Sequence, residues 1–317
     1  MNTNLQLAIL CACLTSLANG CIFGLFGTRV QGAGASTSTQ VDIGLFTSIS
    51  VGSVASVELR QGAATEQLEL TVDTAWQEHV KIETNNGRLS IGAKDRTSLE
   101  CPSGRTCAFN VVVQTPSLLE IEAGGTSSVR TAPSHSFNNG RTLSINVGGS
   151  ADVNVDASPS AELRVDGGGE ANVRVRGVIP VATVRLGGSC ALDAQSLVVN
   201  YLDADLGGSS SVGALHVQEQ SGSANTVAVS ASGSSELSFS GSADSARFGS
   251  SGAGRINGDG FVAPDVEVDA SGSSEITSGV SRRLRGRVSG SATVYYIGDP
   301  NTEDVEISGS GRLEKKG

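Results

Sequence analysis

The sequence predicts an all-β fold, a right-handed parallel β-helix or solenoid of about ten coils, on three observations. A Gly-Gly-Ser or Ser-Gly-Ser turn, with close variants, recurs ten times at a period near 20 residues. Residues at even offsets from its central glycine are apolar or small. Glycine is abundant at 41 of 317 residues, whereas Phe 8, Tyr 3 and Trp 1 supply little for a compact globular core. The hydrophobic share of 38% is nonetheless too high for disorder and suits thin strands around a narrow core.

The central glycines are Gly125, Gly149, Gly169, Gly188, Gly208, Gly233, Gly252, Gly272, Gly290 and Gly309. The interval is too short for a helix pair, and the two-fold alternation around each glycine indicates strand. Four residues after each glycine stand Val129, Val153, Val173, Leu192, Val212, Leu237, Ile256, Ile276, Val294 and Leu313, all aliphatic. Two residues after it every side chain is small, and four before it nearly all are apolar. These offsets share one strand face and predict inward columns, while the odd offsets point out. At about 20 residues a coil holds two or three short strands and their corners, and stacking at roughly 4.8 Å makes ten coils a rod about 48 Å long. No coil buries its apolar face alone, so residues 119–317 are read as one cooperative unit, with an insertion near residues 215–225.

In chain order, residues 1–20 read as a signal peptide, because Leu5 to Leu17 is an apolar run of export-signal length and too short to span a bilayer. Leu17-Ala18-Asn19-Gly20-Cys21 resembles a bacterial lipobox, which predicts lipidation of Cys21; cleavage after Ala18 is the alternative and gives a freely secreted chain. Residues 21–44, rich in Gly, Ser and Thr, read as a flexible tether. Residues 45–118 hold short alternating runs and the turn Asn85-Asn86-Gly87, an N-terminal β region that supplies the first coils or caps them. Cys101 and Cys107 bracket a five-residue loop and are expected to form a local disulfide in an oxidising compartment. Cys190 falls on a small inward offset with Ala171 and Ser210 and is expected to be a buried free thiol.

With the repeats laid out, residues 43–317 resemble the head GIN domain of auto-transporter adhesins. The likeness rests on Phe46-Thr47-Ser48-Ile49-Ser50-Val51, Asn86-Gly87-Arg88-Leu89-Ser90-Ile91, Val288-Ser289-Gly290-Ser291, Tyr296-Ile297-Gly298-Asp299-Pro300 and Ile307-Ser308-Gly309-Ser310-Gly311. The resemblance implies a parallel β-helical fold outside the cytoplasm, with no assigned enzymatic activity and no catalytic residues to carry over. More coils, the Gly-Gly-Ser corners and the Cys101/Cys107 loop depart from the family pattern.

A formal charge of −10 repels phosphate backbones, and no stripe of Lys and Arg interleaved with aromatics is present, which excludes nucleic acid as a partner. A parallel β-helix that cleaves polysaccharides gathers acidic residues and a base, and the candidates here are Asp166, Arg185, Asp203 and Asp205. Their spacing has a plainer reading. Asp166, Arg185 and Asp205 share one outward offset in successive coils, as do Asp269, Arg287 and Glu306; Arg247, Glu267, Arg285 and Asp304 share another. Opposite charges on adjacent strands favour the register. His79, His135 and His216 lie in unrelated segments and suggest no triad. A likeness of Gly148-Gly149-Ser150-Ala151-Asp152 to the calcium-binding nonapeptide roll fails on period and on the missing repeated Asp. Outward aromatics are few, Tyr295 being the clearest by alternation. Neither catalytic residues nor a cofactor or metal is expected. The expected partner is a surface protein or a polysaccharide, with the membrane reached through the lipid anchor; a carbohydrate-active β-helix is the alternative.

Overall fold

The computed structural model describes residues 27–62, 66–133, 135, 140–157, 160–218 and 225–316. Cys21 therefore lies outside the described residues. The ten repeat glycines stack as corners of a parallel β-solenoid and bound nine successive turns of about 20 residues. All ten have φ between 66° and 74°, a region costly for a residue with a Cβ. Close approach adds to this requirement: a Cβ on Gly208 would lie 2.5 Å from the carbonyl oxygen of Gly188 in the coil before. The residue after each glycine donates its N–H to the previous coil's central carbonyl, as from Ser189 to Gly169 and from Ser209 to Gly188, both at 2.7 Å. The corner is thus a column of backbone hydrogen bonds that glycine lines at all ten repeats.

The aliphatic residues four beyond each corner pair in register from Val129 to Leu313, coil upon coil. All but Leu313 are buried. The small residues two beyond the corner are buried too, all but Gly311, and the serines among them satisfy their hydroxyls on main-chain carbonyls. Ser210 Oγ donates to Gly207 O at 2.9 Å, Ser235 Oγ to Ser232 O at 2.8 Å and Ser274 Oγ to Ser250 O at 3.1 Å. Stacking continues past residues 219–224. Leu202–Leu206 pairs with Val227–Ala231, and Ser211–Val217 pairs with Glu236–Ser242, so the two sets of repeats form one stack.

The N-terminal β region both adds coils and caps them. Ser48–Val51 and Ser56–Gln61 form a coil directly above Glu120–Ala123 and Ser128–Thr131. Its corner residue, Ser53, has φ 62° where the repeats have glycine. Arg88–Ala93 and Phe109–Thr115 form the coil beyond that one, so the stacking order reverses the chain order of these two coils. Antiparallel strands then end the parallel stack: Val80–Asn85 on one side, and Gln67–Asp73 followed by Ser36–Val41 on the other.

The tether expected over residues 21–44 does not hold for its second half. Thr28–Gln31 pairs with Thr97–Glu100, and Ser36–Val41 pairs with Gln67–Asp73. The physical reason is Asp73, which is fully buried and accepts N–H bonds from Ala33 at 2.9 Å, Gly34 at 2.7 Å and Ala75 at 3.0 Å. Buried Trp76 adds a bond from Nε1 to Val30 O at 3.1 Å. The Gly-rich composition that suggests a tether also permits the close packing of Gly32 against Cys107 and Asp73. Cys101 and Cys107 are bonded, with Cα atoms 5.7 Å apart, and close the loop beside this segment.

Candidate functional site

Each coil presents three outward residues on the strand leading into its corner, at seven, five and three positions before the central glycine. Parallel pairing in strict register stacks them into rows. One row runs Asp166, Arg185, Asp205 and another Arg247, Glu267, Arg285, Asp304, as their spacing predicts. In the second row the charges touch: Glu267 accepts from Arg247 at 2.9 Å and from Arg285 at 3.0 Å. The hydrogen bond from Arg247 leads in holding the Glu267 carboxyl below its usual range, against the opposing effect of burial. Arg287 meets Glu306 at 3.2 Å, and Arg282 pairs with Asp265, whose carboxyl is held down by that bond.

The first row behaves differently. Arg185 sits between Asp166 and Asp205 in register, yet no ion pair forms among them, and Asp203 and Asp269 make none among the described residues. Between Asp205 and Asp269 the row loses its charges. Thr226–Ala231 and Ser245–Ser250 carry Ala228, Ser230 and Gly249 at outward offsets where neighbouring coils carry charge. The missing side chains leave an open hollow of about 500 Å³, walled by Arg185, Asp203 and Asp205 on one side and by Arg247, Glu267 and Asp269 on the other. A second hollow adjoins it across Ala228 and reaches Tyr201, Arg283 and Arg285.

Three of the four sequence-selected charges, Arg185, Asp203 and Asp205, thus line one concavity, whereas Asp166 stands outside its lining. Tyr201, 37% exposed, is the aromatic on this face that alternation missed in favour of Tyr295, which is only half-buried. The signal for it was present: Tyr201 stands seven before Gly208, an outward offset. The histidines remain apart, with His135 Nδ1 accepting from the Gln61 N–H at 3.1 Å and His216 Nδ1 lying 3.2 Å from Ser240 Oγ. Among the described residues no group of three or more His, Cys, Asp or Glu is placed to hold a metal ion.

The geometry limits the chemistry of the hollow. Asp203 and Asp205 project from one strand on the same side, two residues apart. Asp205 and Asp269 are separated by three strand spacings, roughly 14 Å, well beyond the separation of two carboxylates acting on one glycosidic bond. The face can offer hydrogen-bond acceptors and guanidinium donors over a shallow floor.

These features define the class: a glycine-cornered parallel β-solenoid with a charge-registered outward face. The chain belongs to the family described as "putative auto-transporter adhesin, head GIN domain", whose sequence model matches residues 45–224 and 213–300. A crystal structure from Parabacteroides distasonis, described as a "putative lipid binding protein", is 20% identical, covers 92% of this chain and 100% of its own, and superposes with a TM-score of 0.50. It shares the fold. A "putative adhesin" from the same organism is 18% identical over 91% of this chain and 100% of its own, with a TM-score of 0.49. Another "putative adhesin", from Parabacteroides merdae, is 18% identical over 92% and 100%, with a TM-score of 0.48. No curated protein sequence matches the chain.

Proposed function

We propose that this chain is a non-catalytic, adhesin-like or scaffold module of the cell surface or the secreted fraction, which binds an envelope or extracellular partner through its charged face. The observation that carries the reading is the division of that face. Charges such as Arg247, Glu267 and Arg285 pair along the stack, but Arg185, Asp203, Asp205 and Asp269 surround the hollow without ion-pair partners among the described residues. Charged groups whose pairing is left open around a concavity are available to a partner, a surface protein or a polysaccharide. Membership of an adhesin-described family supports the same direction. The second reading, a carbohydrate-active β-helix, draws on Asp203 and Asp205; against it, the carboxylates on the two walls of the hollow, Asp205 and Asp269, stand too far apart to act on one glycosidic bond.

The module is held at the membrane by acylation of Cys21 in this account. One set of cells tests both parts. Wild-type protein is expected in the membrane fraction, and Cys21→Ser is expected in the medium. Released protein is then passed over isolated envelope polysaccharide and surface-protein fractions beside an Arg185→Ala/Asp205→Ala variant. Retention of wild type with loss in the variant supports the reading. Equal retention of both, or turnover of a polysaccharide by the wild type, overturns it.

A further inference from the structure

The hollow between Asp205 and Asp269 is the middle of a longer trench. At one end it shares Arg185 and Asp205 with a further hollow of about 580 Å³ that reaches Asp166 and Gly167. At the other it shares Ala228, Arg247 and Glu267 with the hollow that reaches Tyr201 and Arg283. Six successive register pairings separate the coil of Asp166 from that of Arg283, so the trench runs roughly 29 Å along the stack. That length suits an extended chain rather than a single small molecule.

The lining selects the chemistry of that chain. The strands of the floor, Thr226–Ala231 and Ser245–Ser250, are paired on both sides, so they offer a peptide backbone no edge to extend. The trench offers side-chain acceptors and hydroxyls instead. Asp203, Asp205 and Asp269 have no ion-pair partner among the described residues, and the hydroxyls of Thr226 and Ser245 lie 3.2 Å apart. Such acceptors match a ligand rich in hydroxyl donors. Tyr201, 37% exposed, adds an aromatic ring with a polar tip, against which the C–H face of a sugar ring packs. The sign of the charge narrows the class further. In the central hollow three open carboxylates face one open guanidinium, Arg185, within a chain of net charge −10, and that balance repels acidic sugars. Resting on the binding reading above, we propose that this trench holds a linear glycan without acidic groups, its hydroxyls on Asp203, Asp205 and Asp269 and one ring against Tyr201.

Binding of the purified full-length chain to immobilised linear oligosaccharides tests this, with neutral hexose and N-acetylhexosamine oligomers beside uronic-acid oligomers and a surface-protein fraction. A neutral hexamer is expected to bind at least about tenfold more tightly than the dimer of the same sugar, because the dimer occupies only part of the trench. Tyr201→Ala is expected to weaken the hexamer at least about tenfold. Ser230→Arg, at an exposed floor position, should fold as wild type does and lose the hexamer by filling the central hollow. Tyr295→Ala, on a strand that leaves the corner and outside the trench, should bind as wild type does. Retention of the uronic-acid oligomers alone overturns the proposal, as does hexamer binding that Tyr201→Ala and Ser230→Arg leave unchanged, or equal binding of hexamer and dimer. If the surface-protein fraction is retained and no glycan is, this inference falls and the binding reading stands. If neither is retained, the binding reading falls with it.

Discussion

At the scale of single residues, Asp73 bears most on how the chain begins its fold. Burial opposes its ionisation, but the N–H groups of Ala33, Gly34 and Ala75 outweigh burial and, with Arg105 nearby, hold its carboxyl below the usual value. A carboxylate depressed in the folded state contributes stability that is complete above its unfolded pKa, about 3.9, and is lost as pH falls through the folded value. Asp73→Ala is expected to cost roughly 3 kcal/mol in urea denaturation at pH 7, since three buried N–H groups lose an ionised acceptor. Its stability should also decline less than wild type's between about pH 5 and pH 2. Parallel pH profiles would contradict the assignment. Cys190 is the opposite case, a buried thiol whose pKa is pushed up by desolvation alone. It fits because Gly167 leaves space, where a Cβ would come within 2.5 Å of its Sγ.

At the scale of the coil, the corner explains why its two glycine positions are not equivalent. Gly208 has φ 69° and faces the Gly188 carbonyl oxygen, whereas a Cβ on Gly187 would meet nothing within 4 Å. Gly208→Ala is therefore expected to destabilise by more than about 1 kcal/mol, through left-handed backbone strain and a backbone clash. Gly187→Ala should be neutral or slightly stabilising, because it restricts the unfolded chain. Thermal melts of the two variants decide it, and equal losses would contradict the account of the corner. The coils from Gly125 onward were legible because their corners and columns recur without a gap. The coil at Ser53 was not, because a serine holds the positive φ there and hides the motif. Nor was the strand character of Thr28–Gln31 and Ser36–Val41, which depends on contacts with Asp73 and Trp76 some 40 residues away. The hollow escaped for a related reason. It is made by the smallness of Ala228, Ser230 and Gly249, whereas a search for chemistry follows the charged residues that only form its walls.

At the scale of the whole molecule, inward and outward columns must keep their identity along the entire stack for the outward charges to be ladders and a binding face. A one-residue slip would exchange the two faces. Val212 carries this most directly: it is buried, four beyond Gly208, and paired between Leu192 and Leu237. Ser211, its neighbour, is exposed and pairs with Ala191 and Glu236 on the other face. The decisive measurement is chemical denaturation of Val212→Asp and Ser211→Asp side by side. Val212→Asp should lose several kcal/mol by burying an unpaired carboxylate between aliphatic neighbours, and Ser211→Asp should change stability by less than about 0.5 kcal/mol. Equal effects from the two substitutions would contradict the column assignment, and with it the reading of the charged face as a surface for binding.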